Sequence, residues 1–158
     1  MKQLIQKDEQ VTLKGQLKIE LHNVVTGERD VVVYPNLVTT VGKESIASAL
    51  KGTTVNNQGI ITYCALGLDD TAPALGNTDL GSELARKAVS VRSVANNIAT
   101  FQTFFTTSEA IGALKEAGLF GDDASAAANS GTLFCHAAID RTKSSSDTLT
   151  LTWTVAIG

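Results

Sequence analysis

The stretch Thr148-Leu149-Thr150-Leu151-Thr152-Trp153-Thr154-Val155-Ala156-Ile157 alternates without a break: Leu149, Leu151, Trp153, Val155 and Ile157 fall on one side of an extended chain, and Thr148, Thr150, Thr152 and Thr154 on the other. A period of two is the period of a strand, so this stretch predicts a strand with one buried and one polar face. Burying each of these Leu, Trp, Val and Ile side chains is worth roughly 1.5 to 3 kcal/mol relative to exposure, which places the ribbon in the core.

The same alternation appears from Val11 to His22, where Val11, Leu13, Gly15, Leu17, Ile19 and Leu21 interleave with Thr12, Lys14, Gln16, Lys18, Glu20 and His22. Thr26-Gly27-Glu28 is a turn signal, and Val31-Val32-Val33-Tyr34 continues as a second strand, so a hairpin is expected that ends near Pro35. Nineteen threonines and thirteen glycines against two prolines agree with pleated strands joined by tight turns.

The period changes after Pro35. Thr40 is placed to cap one short helix over about 41–51, with Ile46, Ala47 and Leu50 as its apolar face and Gly52 at its C-cap. A polar loop at 53–58 follows. Gly59 to Leu66 is nearly all apolar and predicts a central strand buried on both faces. Residues 67–82 predict a long loop ordered by packing, and a candidate contact surface. Lys87 to Val94 and Ile98 to Thr107 flank Asn96-Asn97, a pair suited to a tight turn, and Phe101, Phe104 and Phe105 are expected in the core.

The pattern of Ser108 to Phe120 fits a helix or a strand equally, because Ile111, Leu114 and Leu119 allow a helical face that Gly112 and Gly118 weaken. Residues 122–131 predict a loop, Thr132 to Ile139 a strand, and Arg141 to Asp147 its turn. The expected fold is mainly β: an antiparallel β-sandwich or open barrel of about seven strands with one short helix. Residues 1–10 are expected to form a flexible N-terminal arm and 11–158 a single β-sandwich domain.

A net charge of −3 disfavours nucleic acid as a partner, and no apolar run approaches the length of a membrane span. Residues 1–10 have no signal-peptide core, so a cytoplasmic site of synthesis is expected. Cys64 and Cys135 read as buried free thiols. No nucleophile motif and no phosphate-binding glycine loop is recognisable, so no enzyme and no cofactor is expected. Arg86, Lys87 and Arg92 are too few for a nucleic-acid track. His22 reads as solvated. Cys135 and His136 are adjacent on a strand and point to opposite faces, giving a buried thiol and an exposed imidazole. Asp69, Asp70, Asp79, Asp122 and Asp123 lack the spacing of a calcium loop and read as solvated loop charges, with no metal.

The order of motifs adds a further reading. Asn36-Leu37-Val38-Thr39-Thr40-Val41-Gly42-Lys43 before a short helix, then Tyr63-Cys64-Ala65-Leu66-Gly67, Thr71-Ala72-Pro73-Ala74 and Thr78-Asp79-Leu80, resembles small β-rich structural proteins, decoration or tail-fibre-like, of tailed bacteriophages and prophages. Glu83 and Arg86, Glu116-Ala117-Gly118-Leu119-Phe120 and Lys143 to Trp153 extend the resemblance over about residues 11–158. It implies a virion component made in the host bacterial cytoplasm, and it carries no catalytic residue over. In such proteins the Glu-x-Gly-Leu-Phe segment is strand-like, which favours a strand at 108–120. Ile111-Gly112-Ala113-Leu114 and the Ala-rich 124–128 depart from the pattern.

The leading expectation is a capsid decoration or cement protein that binds the assembled shell as a homo-oligomer, with a trimer as the expected number and the major capsid protein as partner. The interface candidates are Asp69, Asp70, Pro73, Asp79, Asp122 and Asp123. The alternative is a tail, baseplate or fibre module that contacts tail proteins and the host surface. Trp153, Tyr34 and Tyr63 all sit on expected strands, which disfavours sugar recognition. An enzyme acting on the cell wall would need a carboxylate pair in a groove, for which Glu83 and Glu116 are the residues to test.

Overall fold

The structure, a computed structural model, describes residues 11–52 and 59–158. The arm expected at 1–10 and the loop expected at 53–58 lie outside the described residues. Among the described residues nine strands form one antiparallel sheet: β1 Leu13–Asn23, β2 Arg29–Val38, β3 Ile61–Gly67, β4 Glu83–Ala88, β5 Val91–Ala95, β6 Ile98–Phe105, β7 Gly112–Gly121, β8 Thr132–Lys143 and β9 Asp147–Ile157. The spatial order is β4-β3-β7-β8-β2-β1-β9-β6-β5, and one helix, α1, spans Thr40–Lys51. Among the described residues no helix is long and apolar enough to cross a membrane.

The sheet curls into a half-barrel that closes on its own apolar side. Strand β9, in the interior of the sheet, pairs with β1 through Leu17↔Trp153 and Ile19↔Leu151 and with β6 through Phe101↔Trp153 and Phe105↔Leu149. Period two puts Leu17, Ile19, Leu149, Leu151, Trp153 and Val155 on the concave side, where they meet Cys64, Leu66, Leu119, Cys135 and Ala137 from β3, β7 and β8. The alternation that predicts β9 and β1 from sequence is therefore the alternation that fills the core.

Two corners produce the curl. At the first, β2 pairs with β1 from Arg29 to Asn36 and then passes to β8 with Leu37↔His136 and Val38↔Cys135. At the second, β4 and β5 are consecutive in the chain yet form opposite margins of the sheet. The Val89 N–H donates to the Thr62 carbonyl on one side, and the Ser90 N–H donates to the Gln102 carbonyl on the other, each at 2.9 Å.

Nine strands replace the expected seven for two reasons. The segment 87–94 is a bent run split at Val89-Ser90, and the undecided segment 108–120 is strand β7 from Gly112. The turn at Thr26-Gly27-Glu28 is present with Gly27 at φ 77°, and Asn96 turns the β5–β6 hairpin at φ 54°. The β1–β2 hairpin ends at Asn36, beside Pro35 as expected, while β2 itself continues to Val38 against β8. Helix α1 is capped one residue earlier than expected. The Thr39 hydroxyl accepts the Gly42 N–H at 3.0 Å, and Gly52 closes the C-terminus at φ 74°.

The helix also turns a different face inwards. Gly42 and Ser45 are its buried residues, whereas Leu50 is 85% exposed. A Cβ at position 42 would collide with the Phe134 carbonyl of β8, so close approach to the strand selects the smallest side chains there, and of the expected apolar face only Ile46 packs against the core.

Candidate contact surface

The convex side of β3, β7 and β8 is covered by the loop 68–82, whose ends are joined by the Leu68 N–H donating to the Ser82 carbonyl at 2.9 Å. Leu80, 3% exposed, fills a small apolar cluster with Ala65, Phe120 and Leu133. This cover explains why β3 is buried on both faces, as its continuous apolar run predicts.

Polar groups pin the loop beside Leu80. Glu116 of β7 is 1% exposed, and its carboxylate accepts the Ser82 N–H on Oε1 at 2.7 Å and the Gly81 N–H on Oε2 at 2.9 Å. Gly67 makes room for this carboxylate, since any Cβ there would strike it. His136 Nε2 lies 3.2 Å from Glu116 Oε2, and His136 Nδ1 lies 3.0 Å from Asn77 Oδ1, which also accepts the Ala74 N–H at 2.6 Å. Burial pushes the His136 imidazole below its ordinary value, and the Glu116 carboxylate opposes that push. The expected exposed imidazole is thus a buried one, because the loop lies over the strand face that would otherwise be solvated.

The second loop, 122–131, is held in the same way by β4. Arg86 and Glu83 form an ion pair at 2.8 Å with side chains only 2% and 4% exposed. The guanidinium also donates to the Ser130 carbonyl at 2.8 Å and lies 4.1 Å from the Phe120 ring centroid, while Glu83 Oε2 accepts the Asn129 N–H at 3.0 Å. Each charge is therefore consumed in fixing the backbone of one loop on one convex face.

The six interface candidates are distributed unevenly. Asp69 and Asp79 come together on the rim of a depression of about 180 Å³ that has Glu116 and His136 at its base. Hydrogen bonds from Thr71 hold the Asp69 carboxyl below the usual carboxylate value. Asp70 is exposed nearby, and Pro73 lines a separate depression with Pro35 and His136. Asp122 is removed from the set, because its Oδ1 accepts the Ser45 hydroxyl at 2.8 Å and the Gly59 N–H at 2.7 Å and so ties α1 to the start of β3. Asp123 is exposed in the second loop. Among the described residues no three His, Cys, Asp or Glu side chains are grouped as a metal ion would need.

Glu83, Arg86 and Glu116 carry the clamps, a loop-holding part that the sequence pattern does not assign to them. The available signal is an ionic side chain that opens a small and apolar strand run, as in Glu116-Ala117-Gly118-Leu119-Phe120, because a charge drawn into such a run requires a buried partner. Comparison with family models, with curated proteins and with solved structures finds no match to this chain.

Proposed function

We propose that this chain is a non-catalytic structural protein of a tailed-phage virion, a decoration or cement protein that binds the assembled shell as a homo-oligomer, its curled sheet serving as the open-barrel form of the expected fold. The observation that carries the reading is the use of the buried charges. Both oxygens of Glu116 and the guanidinium of Arg86 are engaged in holding two loops on one convex face, so these charges are spent on presenting a fixed surface. A preorganised loop surface loses little conformational entropy on docking, which suits repeated weak contacts on a lattice.

The test is to locate the protein in purified particles separated into tailed and tailless fractions. Its presence on tailless shells, with greater resistance of those shells to heat, is the expected result. Recovery only with tails would end this reading and favour the tail, baseplate or fibre alternative. Binding to host envelope material would then be the next measurement.

A further inference from the structure

The two convex faces of the curled sheet differ in cover and in charge. Loops 68–82 and 122–131 lie over β3, β4, β7 and β8, whereas beyond the Pro73–Pro35 margin no described element packs on the outer side of β2, β1, β9, β6 and β5. On that bare side the register lines up Val33, Lys18, Thr152, Gln102 and Val91 across all five strands, with Val31, Glu20, Thr150 and Phe104 in the adjacent row. Val31, Val33 and Phe104 are 51%, 54% and 44% exposed. The outward strand positions of this face carry Lys14, Lys18 and Arg29 against Glu20; Lys18 pairs with Glu20 at 2.8 Å and Arg29 shares a depression with Glu28, Asp30 and Asp147, so the excess positive charge lies at the Lys14–Lys18 end.

The loop-covered side has the opposite sign. Asp69, Asp70, Asp79 and Asp123 stand there with Lys115 as the nearby cation, and Lys115 is taken up by Asp140 at 2.5 Å. We propose that copies of this chain associate head to tail, with the acidic loop 68–82 of one copy seated on the bare basic face of the next. The face offers what such an occupant needs: uncovered strands, neutral Thr and Gln hydrogen-bonding groups, exposed valines and excess positive charge. A heterologous contact of this kind repeats with one rotational sense and closes into a ring when that rotation divides the circle. The inference deepens the homo-oligomer part of the proposed function and rests on that part alone.

The experiment is sedimentation velocity of the full chain and two charge-reversed variants, with circular dichroism to confirm folding. The wild type is expected to sediment as an oligomer that dissociates with rising salt. Lys14→Glu with Lys18→Glu makes both faces acidic, and Asp70→Lys with Asp79→Lys makes the loop face basic. Each variant alone is expected to weaken association by about tenfold or more, and mixing the two should restore it, because each then meets an opposite face. If a reversed variant does not fold, the neutral pair Lys14→Gln with Lys18→Gln replaces it, with reduced association and reduced salt dependence expected. A wild type that stays monomeric at every salt, an oligomer indifferent to both reversals, or two variants that fail to recombine would overturn the proposal. A monomer found on phage shells would sink this inference and leave the virion reading standing, and a salt-sensitive oligomer missing from particles would do the reverse.

Discussion

The Trp153 indole N–H donates to the Cys64 sulfur at 3.3 Å, linking β9 to β3 across the core. Both residues are fully buried, so the contact fastens the two facing halves of the curled sheet at their centre. Trp153→Ala should cost about 3–5 kcal/mol, read as a lower urea midpoint with little change in slope.

Burial pushes the Cys64 thiol up to about 12 and raises the Cys135 thiol as well. The thiolate is the reactive form, so neither cysteine should react with a disulfide reagent at mildly alkaline pH while the protein is folded. Titration of native protein should find no reactive thiol, and titration in denaturant should find both.

The Glu83–Arg86 pair predicts a non-additive double-mutant cycle. Arg86→Met leaves a carboxylate buried without its cation, which costs about 3–5 kcal/mol. Glu83→Gln combined with Arg86→Met removes both charges and should cost less than the sum of the single changes, as measured by chemical denaturation.

Glu116→Gln tests the first loop. The carboxamide retains one acceptor oxygen but offers an N–H where a backbone N–H now donates, so one loop contact is lost at about 1–3 kcal/mol. Hydrogen exchange should quicken at Gly81 and Ser82 more than in β9.

Acid should weaken the turn after β6. Hydrogen bonds from Lys87 and from Thr106 hold the Glu109 carboxyl down to about 2, against an ordinary value of 4.5. A depressed folded value means that this stabilisation is complete above about pH 4.5 and is lost as pH falls towards 2. Glu109→Gln should flatten the thermal stability profile over that window by lowering its neutral plateau, where the wild type has the full contribution, towards the acid value.

Local pattern reached far into this fold where one face of a strand met water. Strands β1 and β9 are legible because Lys, Thr and Gln mark their outer positions, and the turns at Gly27 and Asn96 because few residues accept their backbone angles. Strand β7 was undecided because both its faces are covered, so polar alternation is missing there. His136 was expected in solvent for the same reason, since the loop that buries it comes from more than fifty positions earlier in the sequence. Helix α1 lies where the pattern places it, but of its expected apolar face only Ile46 packs inward, because hydrophobicity cannot register how closely Gly42 lets the helix approach β8. The candidate site was half legible: its acidic rim could be read from the loop composition, but the glutamate and arginine that hold the loops in place are known only from their distant partners.

The bend at Val89-Ser90 has a mechanical consequence. A single run of backbone hems both borders of the sheet, so neither border can peel away while the other stays seated. Tension applied to the ribbon ends must first tear a seam in the interior, and a single proteolytic cut at this bend would leave two loose selvedges in place of one continuous hem.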